Sequence, residues 1–152
     1  MSKDYVTPMN DLVKVTILLP DGPVAAESLW TVRTDVPEIY QLRNIPFYAL
    51  GYAEGDLVRC IVTADGLQVT ALAQNSGNGT LRIYFAQSQS DAAQRVLDEL
   101  TSVGCTYERA SERLVGVTVP PALAIPFSQL ANYLNDVDEQ TLIAWEVAKP
   151  MA

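Results

Sequence analysis

Apolar and polar positions alternate with a period of two through most of the first half of this chain. Residues 11–19 (DLVKVTILL) are rich in β-branched side chains and break at Pro20-Asp21-Gly22-Pro23, a strong turn signal. Residues 24–33 (VAAESLWTVR) resume the strand pattern, so a hairpin is expected, and 36–42 follow as a third strand. Residues 57–64 (LVRCIVTA) and 67–73 (LQVTALA) flank Asp65-Gly66, a dipeptide suited to the tight turn of a hairpin. The first 75 residues are therefore expected to form four or five antiparallel strands without a helix, a small curved sheet or partial barrel.

The rhythm changes after Asn75-Ser76-Gly77-Asn78-Gly79, which is polar and flexible enough to read as a joint. Residues 80–87 place Leu81, Ile83 and Phe85 on one strand face and Arg82 and Tyr84 on the other. Ser90-Asp91 caps a helix expected to run to about Val103, with Ala93, Val96, Leu97 and Leu100 at helical spacing and Gly104 as its stop. Strands at 105–110 and 114–119 follow. A second helix is expected with Pro126 in its first turn and Phe127, Leu130, Ala131, Leu134 and Val137 on one face, then a last strand at 141–148. This order, β-α-β-β-α-β, is the ferredoxin-like arrangement, one sheet with both helices on the same side. The expectation is an α+β fold: an antiparallel β subdomain (1–75) and a ferredoxin-like unit (76–152), packed as one body.

Composition adds exclusions. With 49% hydrophobic and 18% charged residues, the 152-residue chain can bury a full core. Its net charge of −8, with only 10 Lys and Arg, argues against nucleic-acid binding, which rests on neutralising phosphates, and suits a basic protein partner. Histidine is absent, so neither a Ser-His-Asp nor a Cys-His site can be built within the chain, nor a His-rich zinc site. Cys60 and Cys105 lie in no C-x-x-C pair and read as buried thiols of a reducing cytoplasm. Residues 1–5 (MSKDY) lack the apolar core of a secretory signal, and no apolar run is long enough to span a membrane. No cofactor or metal is expected.

Three groups of residues carry candidate chemistry. Asp136, Asp138 and Glu139, with Glu146, make a locally negative region, since no Lys or Arg occurs between Arg113 and Lys149. The spacing lacks the glycine and terminal Glu of a calcium loop, so a solvated helix end or a surface for a basic partner is the reading, with Tyr48 and Tyr52 as further partner-facing residues. Glu27 and Asp56 could act as a general acid-base pair if the fold brings them together; otherwise Asp56 stabilises its own turn after Gly55. Strand alternation sets Glu27 and Leu29 against Ser28 and Trp30, so either a carboxylate or a tryptophan faces inward. Finally, Arg33, Arg43 and Arg82 with Tyr48, Tyr52 and Tyr84 could line an anion- or nucleotide-accepting groove. An enzyme would then use Glu27, Asp56, Arg43 and Arg82 in a pocket between the halves. The 76–80 stretch lacks a Lys and precedes a strand, so it is no P-loop.

Asn44-Ile45-Pro46-Phe47-Tyr48 joins a rigid Pro-aromatic corner to Gly55-Asp56-Leu57-Val58. Together with Glu27-Ser28-Leu29-Trp30 and Ser76-Gly77-Asn78-Gly79-Thr80-Leu81-Arg82, it resembles a bacterial family catalogued as domain of unknown function 4265, over roughly residues 12–148. The resemblance implies no activity. Many members are expected to carry His at the position of Asn78, and a function resting on that His would not carry over. In layout, the second half resembles the regulator of ribonuclease activity B, a protein-binding inhibitor. The function expected is an acidic cytoplasmic protein-binding module, an immunity- or antitoxin-like regulator of a basic partner. The alternative is a small-molecule or nucleotide-binding enzyme.

Overall fold

The computed structural model describes residues 11–20, 22 and 24–151. Two positions of the Pro20–Pro23 turn, Asp21 and Pro23, lie outside the described residues, as does the start of the chain at 1–10. Among the described residues, nine strands and two helices follow in the order β1 (Leu12–Leu18), β2 (Ala26–Arg33), β3 (Ile39–Leu42), β4 (Leu57–Thr63), β5 (Gly66–Gln74), β6 (Gly79–Phe85), α1 (Asp91–Ser102), β7 (Thr106–Arg109), β8 (Leu114–Val119), α2 (Phe127–Glu139) and β9 (Ile143–Lys149).

The first five strands form a meander of antiparallel neighbours, β1 through β5. It closes completely rather than staying a partial barrel, because β1 also pairs with β5 at Thr16 and Gln68. In an up-and-down meander the first and fifth strands run the same way, so that closing pair is parallel. Register shifts at 57/58 and 59/60 between β4 and β5 add the local twist that closure needs. Val15, Ile17, Leu29, Leu42, Val58, Cys60 and Val69 fill the barrel interior. The third strand starts three residues later than the pattern suggests. There the Thr34 hydroxyl bonds to the carbonyl oxygens of Val36 and Ile39, holding a turn that ends on Glu38 at φ 70°.

The second sheet has the order β7-β8-β6-β9, all antiparallel, which is the ferredoxin-like order. Leu81, Ile83, Phe85, Val115, Val117 and Val119 point to the helices, where Leu97, Leu100, Leu130 and Leu134 complete a second core. Ser90 caps α1 by accepting the Ala93 N–H at 3.0 Å. Pro126 is the N-cap of α2, with extended backbone (φ −60°, ψ 142°), rather than a residue of its first turn.

The face of this sheet turned away from the helices carries Thr80, Arg82, Tyr84, Leu114, Gly116 and Thr118, and the barrel's long loop between β3 and β4 lies on it. Gly116 is required by that packing. A Cβ there would stand 2.8 Å from Ile45 Cγ2 and 3.1 Å from Phe47 Cδ1. The joint at 75–79 is tied down, contrary to the flexible reading of its composition. Ser76 donates its N–H to Asp56 at 2.8 Å, and Asn78 Nδ2 donates to the Glu54 carbonyl at 2.8 Å. The polar side chains that suggested solvent and flexibility are engaged with the barrel loop.

Candidate functional site

Strand alternation on β2 resolves with the carboxylate inward: Glu27 is buried, while Trp30 is 43% exposed and has Lys14 Nζ 5.9 Å from its ring centroid. Glu27 receives three backbone N–H groups, from Phe47 (2.6 Å), Tyr48 (3.1 Å) and Ala49 (2.9 Å). An uncoiled stretch at that depth has donors that no ladder satisfies, and a buried carboxylate needs several donors; each meets the other's requirement. The carbonyl oxygens of the same stretch face the second sheet. Arg82 Nη1 donates to those of Phe47 and Tyr48, both at 3.0 Å, and Arg82 Nη2 pairs with Glu146 at 2.8 Å.

The start of the loop is held likewise. Asn44 Oδ1 accepts the Trp30 N–H at 2.7 Å, and Asn44 and Ile45 also favour the charged form of Glu108 on β7. Burial pushes the Glu108 carboxyl above its ordinary pKa and nearby Glu54 adds to the rise; the bonds from Ile45 and Asn44 work against it.

Asp56, fully buried, accepts the N–H groups of Ala53 (2.9 Å) and Ser76 (2.8 Å) and pairs with Lys149 Nζ at 2.6 Å. Lys149 also donates to Asn75 Oδ1 at 3.1 Å. Thr118 to Glu54, Thr80 to the Tyr52 carbonyl and the Gly51 N–H to the Ala148 carbonyl complete the seam between barrel and sheet.

Glu27 and Asp56 thus serve different ends of one loop, and no hydrogen bond joins them among the described residues. Their oxygens accept from backbone N–H groups and, for Asp56, from Lys149. Arg33 is exposed beside Tyr40, with Nη1 3.4 Å from its hydroxyl, and Arg43 is exposed beyond the end of β3. Only Arg82 of the three arginines reaches the seam. The Tyr52 hydroxyl has its pKa raised, first by burial and then by Cys60 and Asp56.

Where the loop ends on the sheet, a cleft of about 390 Å³ opens between Phe47 and Tyr48 on one side and Arg82, Tyr84, Leu114 and Glu146 on the other. Glu146 therefore stands apart from Asp136, Asp138 and Glu139, which are exposed on the last turns of α2 across the sheet. Those three share the helix layer with Asp91, Asp98 and Glu99 of α1, against which Arg95 is the single basic residue of the two helices. Among the described residues, no group of three or more acidic, cysteine or histidine side chains could hold a metal.

Lys149, Gly116 and Glu108 are structurally central, and sequence reasoning did not single them out. The faint signal for Lys149 was a lone cation ending an apolar strand before Pro150; Gly116 interrupts a run of valines, where a glycine in a strand marks close approach of another backbone or side chain.

No curated protein matches the chain. Among solved structures, a hypothetical protein from Neisseria gonorrhoeae is similar in fold, with a TM-score of 0.78 and 20% identity over 95% of this chain and 99% of that one. The regulator of ribonuclease activity B is not among these matches. The sequence model of one family covers residues 27–145, taking in Glu27, the 44–49 corner, Asp56 and Arg82. On that match, the chain belongs to the family described as domain of unknown function (DUF4265).

Proposed function

We propose that this protein is a non-catalytic binding module of the bacterial cytoplasm. In this reading its acidic helix layer docks a basic partner protein, in the manner of an immunity protein or antitoxin. The observation that carries the reading is the charge asymmetry of α1 and α2: six carboxylates against Arg95 alone, on a chain of net charge −8. Such a layer accelerates encounter with a positive surface and discriminates against negative ones, nucleic acid included. Two free buried cysteines agree with a reducing compartment, and no described helix is long and apolar enough to cross a membrane.

The test is capture of partners from the native host at low salt by wild type and by D136N/D138N/E139Q. One stoichiometric basic protein that elutes as salt rises, and that the variant fails to retain, is the expected result. Retention insensitive to both salt and neutralisation would overturn the electrostatic reading.

A second reading, a nucleotide- or small-molecule-binding enzyme, draws on the cleft that Tyr48, Tyr84 and Arg82 share. Its catalytic half is weakened by the commitments of Glu27 and Asp56. Its nucleotide half is weakened because both terminal nitrogens of Arg82 are engaged, by Phe47, Tyr48 and Glu146, and Nε is buried.

A further inference from the structure

We propose that the cleft between the 47–48 loop and the open sheet face is a receptor for a small organic cation, an alkylammonium or guanidinium group. This site lies across the sheet from the helix layer and does not depend on it. Its volume of about 390 Å³ is at the small end of ligand pockets, which run from about 300 to 1,000 Å³. Phe47, Tyr48 and Tyr84 supply aromatic walls, and Leu114 adds an aliphatic one.

The charge presented to an occupant is set by the Arg82–Glu146 pair, whose halves are unequally exposed. The Arg82 side chain is 15% exposed, and the Glu146 side chain 59%. Arg82 Nη1 is held by two carbonyl oxygens, Nη2 by Glu146, and Nε is buried with no hydrogen-bond partner among the described residues. The arginine is thus turned into the seam, while the carboxylate stands out beside the rings. Aromatic faces attract a cation through their quadrupole, and a neighbouring carboxylate adds a charge-assisted hydrogen bond. An anion would meet the exposed Glu146 carboxylate, with both terminal nitrogens of Arg82 already engaged.

Two sources fit this chemistry: a free amine metabolite, or a lysine or arginine side chain presented by another protein. Tyrosine fluorescence and two-dimensional NMR titrations with agmatine and with N-acetyl-lysine methylamide separate them. Adenosine monophosphate serves as the anionic control.

Saturable shifts at Tyr48, Tyr84 and Glu146 with either cation, and none with the nucleotide, are expected. Preference for agmatine points to a free amine; preference for the capped lysine points to a protein side chain. Tyr84→Leu and Glu146→Gln should each weaken the cation about fivefold or more, the scale of one lost cation–π or charged contact. Both residues are substantially exposed, and circular dichroism checks that each variant is folded. Affinity unchanged in both variants, absence of cation shifts, or tighter binding of the nucleotide would overturn the proposal. Because Asp136, Asp138 and Glu139 are untouched, these outcomes are independent of the partner-capture experiment.

Discussion

Glu27 and Arg82 grip the same short stretch of backbone from opposite sides. The carboxylate takes the N–H groups of Phe47, Tyr48 and Ala49, and the guanidinium takes the carbonyl oxygens of Phe47 and Tyr48. One residue belongs to the barrel and the other to the four-stranded sheet, so the loop between them is the clasp that joins the two. Among the described residues, no hydrogen bond or ion pair joins the two side chains. Their roles are coupled through the peptide groups they share.

Glu27→Gln removes the charge and offers one acceptor oxygen where three N–H groups converge. Buried donors lose their partners, and unmet buried groups cost about 1–3 kcal/mol each. Urea unfolding should report a loss of about 3 kcal/mol. Arg82→Met should be less than additive with it, because either variant releases the same loop; additive losses would dissociate the two grips.

Lys149 and Asp56 form an ion pair buried in the seam, 2.6 Å apart. Removing one partner strands the other, so Lys149→Met should cost about 3–5 kcal/mol. Equilibrium denaturation measures it directly. A loss below about 1 kcal/mol, the scale of an exposed pair, would mean that water reaches Asp56 in solution.

Gly116→Ala places a methyl group 2.8 Å from Ile45 Cγ2. The backbone at Gly116 is ordinary for a strand, so the penalty comes from the contact alone. The corner at 45–47 must shift off β8, at about 1–3 kcal/mol for an overpacked site. Chemical shifts at Phe47 and Tyr48 should move with it, as the two residues also line the cleft.

Glu108 makes the seam sensitive to pH. Burial holds its carboxyl above the ordinary value of 4.5, so the folded protein binds this proton more tightly than the unfolded chain does. Its contribution is greatest below that value and is lost as pH rises through the folded pKa. The stability difference between wild type and Glu108→Gln should therefore tilt against wild type as pH climbs from the ordinary carboxyl range. Parallel stability curves for the two proteins above pH 4 would show that Glu108 is solvated.

Both cysteines are buried in different cores, and burial pushes each thiol up to about 11. A native thiol reagent at neutral pH should label neither, because the thiolate is the reactive form. Labelling of Cys60 and Cys105 should appear together on global unfolding. Earlier labelling of Cys60 alone would reveal a barrel that opens independently of the sheet.

Local patterning carried the element order because it acts over a few residues. The period-two runs of the first half and the helical spacing of 93–100 and 127–137 each determine which face must be buried, whatever the neighbour is. The βαββαβ order then follows with its sheet arrangement. Histidine-free composition, the charge of −8 and the family motif at 44–48 are likewise properties of the chain alone.

What only tertiary structure decided is how polar residues far apart are used. Lys149 finds Asp56 across 93 positions and Arg82 finds the 47–48 carbonyls across about 35, pairings that no local period encodes. The same holds for the closing of β1 on β5, which a single parallel bridge completes. It explains why Glu27 and Asp56 hold parts of the β3–β4 loop that are distant from them in sequence. A carboxylate's role is set by which donors the fold brings within hydrogen-bond distance, and that is known only once the loop between β3 and β4 is seated on the sheet.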